Sequence, residues 1–308
     1  MHRTIRISLP ARLTDPLVAS LKPYPDVIGL SLERCGSLKP VGDVLTIDLL
    51  NQGSDEVLRH VALLCTGTEY TITTAELASM IAPQRQEHIE QDSDEAVWEE
   101  MESGLSHNGR LTSNYICLMG IGGLVAAVGL VSEPVPQALS FVAAAVLAPG
   151  FDPLAKVALG LLHGKTPLVR KGLQNTLLGY TVLVLSAAVS FWIMQRTGAA
   201  SVADFAENPE VIALTEPDAK QLLMSLGGAL AGGIMVASHR ESFISGALMA
   251  MAFIHAAAMI GVGLATSQWA IARQGAERFG LDALLVIGGC YVVFWLKQRF
   301  LHQRKPIV

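Results

Sequence analysis

Ala145-Val-Leu-Ala-Pro-Gly-Phe-Asp-Pro-Leu-Ala-Lys-Val-Ala-Leu-Gly-Leu161 and Leu248-Met-Ala-Met-Ala-Phe-Ile-His-Ala-Ala-Ala-Met-Ile-Gly-Val-Gly-Leu264 align without gaps at an offset of 103 residues. Each is an apolar run with an ionisable residue near its middle: Asp152 in the first, His255 in the second. Lys156 falls opposite Met259. A charge at the centre of an apolar span is costly unless it faces a partner or water, so these positions are the first candidates for function.

The likeness extends outward from this pair. Gly122-Gly-Leu-Val-Ala-Ala-Val-Gly129 is similar to Gly227-Gly-Ala-Leu-Ala-Gly-Gly-Ile234, and Phe191-Trp-Ile-Met-Gln-Arg196 to Phe294-Trp-Leu-Lys-Gln-Arg299. Six apolar stretches carry these matches: Ser113–Val131, Ala138–Leu162, Leu173–Met194, Gln221–Ala237, Phe243–Ser267 and Leu281–Leu296. Each is near the roughly 20 residues needed to cross hydrocarbon. Three spans per half place the second half in the bilayer at opposite polarity, so the expected membrane domain, 113–297, is a 3+3 inverted repeat (113–196 and 221–299). Such repeats build transporters with a site near the midplane. The small residues of the first and fourth spans suit close helix contact.

Ahead of the spans the composition changes. The chain of 308 residues is 51% hydrophobic and 16% charged, with a mean hydropathy of +0.43. Residues 1–112 hold nine Lys/Arg against seventeen Asp/Glu, and the remainder thirteen against ten. The first part reads as a soluble acidic domain and the second as a membrane domain. Within residues 1–75 the order is strand, helix, strand, strand, helix, strand. His2 to Leu9 alternates Ile5, Ile7 and Leu9 with polar residues; Leu13–Leu21 and Ser54–Leu64 are helical, with Pro16 tolerable only in a first turn; Val27–Leu32, Val44–Leu50 and Tyr70–Thr74 are the other strands. That order predicts an α+β ferredoxin-like sandwich, whose expected role is regulation or oligomerisation. Residues 76–112 read as an acidic helical linker. Its stretch Glu87–Glu102 holds eight acids without a Lys or Arg, expected to be a solvated face, or else a cation-attracting collar.

Loop charges set the orientation. Lys165, Arg170 and Lys171 lie in one loop, Arg240 in another, and Lys297, Arg299, Arg304 and Lys305 at the end, whereas Thr197–Asp218 carries only acids. The positive-inside rule therefore predicts both termini in the cytoplasm, with Arg273 and Arg278 counting against it. The basic tail, 298–308, suits orientation or anionic lipid rather than nucleic acid. No signal precedes the soluble domain, and the scattered Cys35, Cys65, Cys117 and Cys290 fit free thiols in a reducing compartment.

Pro149, Gly150 and Pro153 fall near the middle of the second span, where proline removes a donor and breaks the helix. Carbonyls freed at membrane depth survive only within protein or beside water. Asp152 and Lys156 are one turn apart and can pair; Asp152 is a candidate for protonation change and His255 for proton relay, although either set also suits helix packing. No phosphate loop, nucleophile–base set or metal-ligand spacing is present, so neither enzymatic activity nor a cofactor or metal is expected.

Ala126-Ala-Val-Gly-Leu130, then Ala148-Pro-Gly-Phe-Asp-Pro-Leu-Ala-Lys-Val-Ala-Leu-Gly-Leu161, then basic Arg170-Lys171, resembles the bacterial membrane family catalogued as domain of unknown function 389. The resemblance covers most of the chain, with Pro149 and Pro153 matching the family's proline pair and Gly160-Leu161 its Gly-Leu ending. It departs at Asp152 and Lys156, where small residues are expected, and at His255-Ala256, where a second proline pair is. The resemblance implies a bacterial inner-membrane protein and no specific chemistry. The expectation is a homo-oligomeric transporter or channel-like protein for a small solute or ion, centred on Asp152, Lys156 and His255; the alternative is a membrane-anchored scaffold or ligand sensor.

Overall fold

The computed structural model describes residues 2–238, 243–304 and 306–307; the side chains of 243–252 are not described. Arg240 and Lys305, both read as orienting charges, therefore lie outside the described residues. The chain divides into two compact units. One comprises 1–101, 237–239 and 298–308, the other 102–236 and 240–297.

The first unit opens with β1 (His2–Leu9), α1 (Ala11–Leu21), β2 (Val27–Leu38), β3 (Val41–Leu49), α2 (Ser54–Leu64) and β4 (Thr71–Leu77). These form an antiparallel sheet in the order β2-β3-β1-β4. Element succession is as the sequence led us to expect. The period-two pattern of β1 turns Ile5, Ile7 and Leu9 inward, and the 3.6 period brings Leu17 and Leu21 of α1 and Val57, Leu58 and Val61 of α2 onto that face. Burying each such side chain contributes about 1.5–3 kcal/mol. α1 starts two residues earlier than its apolar pattern, so Pro16 lies beyond its first turn. Pro16 and Arg12 are both exposed, so the proline falls on the solvent side of α1 and not on its core face.

Beyond β4 come α3 (Gln86–Glu90) and α4 (Trp98–Asn108), and here the structure corrects the reading of the acidic stretch as a solvated face. Val97 and Trp98 are fully buried. Arg3, on the same face as Ile5, is buried and donates to Asn51 Oδ1 (2.7 Å), Glu100 Oε2 (2.8 Å) and the Glu95 carbonyl (2.8 Å). Asp92 accepts from the Asn51 N–H at 2.9 Å. The segment is thus strapped to the sheet by its acids. A run of like charges looks solvated in one dimension because its counter-charges, Arg3 and Arg304, lie far away in sequence.

The second unit is helical: α5 (Ser113–Gly129), α6 (Pro134–Leu147), α7 (Phe151–Leu162), α8 (Thr166–Arg196), α9 (Val202–Ala206), α10 (Pro209–Thr215), α11 (Ala219–Ala237), α12 (Phe243–Ala265) and α13 (Trp269–Phe300), with the last residue of α11 and the last three of α13 assigned to the first unit. Among the described residues, α8, α11 and α13 are long and apolar enough to span a membrane. Two bent pairs, α4 with α5 (68°) and α6 with α7 (52°), raise the number of candidate spans to five. The second apolar stretch is therefore two helices, broken at Ala148–Gly150.

Arg170 and Lys171, read as loop residues, lie inside α8, which starts seven residues before its apolar stretch with Pro167 in its first turn. The acid-rich loop holds α9 and α10. α8 packs against α5, α7 and α12, and α6 against α5 and α12. Gly123 of α5 shows how close the approach is: a Cβ there would lie 2.2 Å from the Leu183 carbonyl oxygen of α8. Only small residues allow this contact.

Candidate functional site

The break between α6 and α7 organises the site. Pro149 has no N–H to return to the Ala145 carbonyl, and the Gly150 N–H turns to the Ala148 carbonyl instead (2.8 Å). The last turn of α6 thus ends with unreciprocated carbonyls, and α7 begins at Phe151 with Asp152 in its first turn, where the helix dipole favours an anion. Pro153 is tolerated because it also falls within that turn.

One tyrosine reaches this break and a second lies beside it. Tyr180 of α8 and Tyr115 of α5 are only 4% and 3% exposed, and neither hydroxyl has a hydrogen-bond partner within the protein. The Tyr180 hydroxyl lies against Gly150 so closely that a Cβ there would sit 2.0 Å from it; the Tyr115 hydroxyl takes the same relation to Gly179, at 2.6 Å. Asp152 is within electrostatic reach of the Tyr115 hydroxyl and the Cys290 thiol, and the two tyrosines of one another. Phe279 and Phe253 pack around the Tyr180 ring, with centroids at 4.6 and 6.0 Å. A buried hydroxyl without a partner costs about 1–3 kcal/mol. Two at and beside one helix break mark a place built to meet something polar.

The other residues singled out by sequence go elsewhere. Lys156 is buried, but no ion pair joins it to Asp152. Its charged neighbours are Lys171 of α8 and Glu102 of α4, and Glu102 also takes Lys165 Nζ at 2.6 Å. His255 is buried against Phe141 of α6, rings stacked at 3.5 Å, and hydrogen-bonds the Phe141 backbone; its Nε2 has no partner. The structure does not bring its imidazole to the Asp152 carboxylate. Pro149, Gly150 and Pro153 form the break itself.

Sequence reasoning passed over Tyr115 and Tyr180, since a tyrosine in an apolar run reads as an interfacial anchor. It also missed the buried pair of Arg278 and Asp282 on α13, 2.8 Å apart and 4% and 1% exposed. Ser225 of α11 accepts from Arg278 at 3.0 Å. Arg278 had been taken for an exposed loop charge; its i,i+4 partner was the available signal. Two open grooves mark the unit's surface. One, of about 360 Å³, is lined by Thr166, Pro167, Arg170, Lys171 and Gln174; the other, of about 410 Å³, runs along α8 from Leu173 to Leu185 and reaches Phe279.

An α+β unit joined to a bundle of long apolar helices with a broken, acid-bearing span defines a helical membrane-type protein. The family model described as Domain of unknown function (DUF389) matches residues 145–287, from the last turn of α6 into α13. Comparison with curated proteins and with solved structures gives no match.

Proposed function

We propose that this is a homo-oligomeric, non-enzymatic inner-membrane transporter or channel-like protein for a small solute or ion. Its ferredoxin-like unit would lie in the cytoplasm as a regulatory or oligomerising domain. The observation that carries the transport reading is the α6–α7 break, which carries the Asp152 carboxylate and the carbonyl end of α6 and takes the unpartnered Tyr180 hydroxyl against Gly150, with the unpartnered Tyr115 hydroxyl beside it at Gly179. Polar groups at such depth are a functional hypothesis by default.

Chain parity supports the six-span inverted repeat. The chain leaves the first unit after Met101, touches it again at Ala237, whose carbonyl accepts the Ala96 N–H at 2.9 Å, and returns finally at Gln298. A unit held on one face of a bilayer requires an even number of crossings in each excursion. Four of the five candidate spans (α4–α5, α6–α7, α8, α11) fill the first excursion and the fifth, α13, the second, where α12, apolar over Phe253–Ala265, would be the sixth. The two trios then run with opposite polarity. Helices α8 and α13, of 31 and 32 residues, match in length as repeat counterparts would.

A second reading, a non-transporting scaffold or sensor, is favoured by one observation: Asp152 lines neither of the two grooves. Two measurements decide. Single cysteines introduced by Lys165→Cys and Ala200→Cys should label from opposite faces of the membrane; labelling from one face refutes the repeat. Reconstituted vesicles should conduct a small solute or ion, and Asp152→Asn should abolish that flux with assembly intact; vesicles sealed to every solute tested would leave the scaffold reading standing.

A further inference from the structure

We infer that the α6–α7 break is a binding site for a partly dehydrated monovalent metal cation, of the sodium class, held by the Asp152 carboxylate, the Tyr115 and Tyr180 hydroxyls and the carbonyls released by Pro149. The inference rests on the transport reading above and specifies the chemistry of its site.

The donor set decides the ligand class. Apart from the buried Cys290 thiol, the groups at and beside the break that can hold a cation present oxygens: one carboxylate, two neutral hydroxyls and the carbonyl end of α6. Oxygens of this kind hold hard cations and replace their hydration shell. Softer transition metals call for imidazole or thiolate ligands, and among the described residues no three His, Cys, Asp or Glu side chains come together. His255, the imidazole that the sequence repeat sets opposite Asp152, is stacked on Phe141 instead.

Charge decides the valence. Asp152 is the sole charged group of the set, because Lys156 makes no ion pair with it and has Glu102 as its attractive charged neighbour. In an apolar surrounding a single carboxylate balances one positive charge, whereas a divalent ion would leave a net charge buried in low dielectric. An anion is disfavoured by the carboxylate itself. The two hydroxyls explain themselves on the same view. Each belongs to a side chain 96% or more buried and has no partner within the protein; Tyr180 places its hydroxyl against Gly150 of the break and Tyr115 against Gly179 beside it. Broken helices that aim carbonyl ends at a midplane cation are a general solution to dehydrating sodium in a membrane.

The test is equilibrium binding of radioactive sodium to the full-length protein in lipid nanodiscs, with lithium, potassium and choline as competitors. Saturable binding is expected, displaced by lithium or potassium and not by choline. Asp152→Asn should weaken it by more than about tenfold, and Tyr115→Phe and Tyr180→Phe, which remove one oxygen each without changing volume, by about three- to tenfold. Each variant is first checked for unchanged elution volume and unchanged thermal midpoint in sodium-free buffer. If Asp152→Asn fails that check, the tyrosine variants carry the decision. Absence of saturable binding to the wild type, binding displaced equally by choline, or sodium affinity untouched in the folded variants each overturns the proposal. Flux separates this outcome from the transport reading. Sodium binding without flux in vesicles leaves the site and removes transport, whereas flux without saturable sodium binding removes the site and leaves transport.

Discussion

Removing the Arg304 side chain should release the segment that follows α13 from the first unit. Arg304 is 8% exposed and donates to Asp55 Oδ1 of α2 and Glu99 Oε1 of α4, both at 2.7 Å, and also to Glu99 Oε2. Trp98 Nε1 donates to the His302 carbonyl at 3.3 Å, the Ile307 N–H reaches Glu99 Oε1 at 2.8 Å, and the Ile307 side chain packs on the sheet core. A hydrogen bond to a charged group contributes about 1.5–3 kcal/mol, but bonds sharing one guanidinium are not additive and both carboxylates keep some contact with water. Arg304→Ala should therefore cost about 2–3 kcal/mol of docking, or about 30- to 150-fold in the population of the released state. Hydrogen–deuterium exchange of the full-length protein in nanodiscs reads this directly at the Ile307 amide, with Arg304→Lys intermediate. An unchanged exchange rate in Arg304→Ala would show that the ion pairs do not hold the segment, and would return its charges to the role of lipid contact.

The same cluster predicts a pH dependence. Burial pushes the Glu99 carboxyl up, but the Arg304 guanidinium and the Ile307 N–H outweigh it and hold it below the ordinary glutamate range. A depressed carboxylate stabilises the docked state above its unfolded pKa and loses that contribution as pH falls through the folded value, so Ile307 protection should persist at neutral pH and fall only in acid; protection that falls between neutral pH and mild acid would refute this. At the α5–α8 contact, Gly123→Ala should destabilise by about 1–3 kcal/mol because its Cβ would meet the Leu183 carbonyl at 2.2 Å. Gly120→Ala, whose Cβ would find its nearest atom at 3.7 Å, should be tolerated; thermal midpoints in detergent compare them. Arg278→Met should cost about 3–5 kcal/mol by stranding Asp282, and adding Asp282→Leu should recover most of the loss. A double variant no more stable than the single one would mean that the pair does more than neutralise itself.

Much of the first unit was legible because its signals are local. Ile5, Ile7 and Leu9 alternate, and the two helical periods sit between β-rich runs, so element order follows from spacing alone. Pro149 marked the break in the second span because a missing N–H is a property of one residue. Boundaries were harder: α8 begins at Thr166 although its apolar stretch begins at Leu173, since hydropathy reports the lipid-facing portion of a helix and not where its hydrogen bonding stops.

By itself the sequence determined the division into an acidic α+β part and an apolar helical part, the strand–helix order and the helix break, all set by composition, period and backbone chemistry within a few neighbouring residues. Tertiary structure alone decided the partners. It set Arg304 on Asp55 and Glu99, gave Lys156 Glu102 rather than Asp152 as its attractive charged neighbour, stacked His255 on Phe141, and brought Tyr180 to the break with Tyr115 beside it. Those outcomes depend on which faces of distant helices meet and on rotamers chosen in that packing, and a linear pattern carries neither.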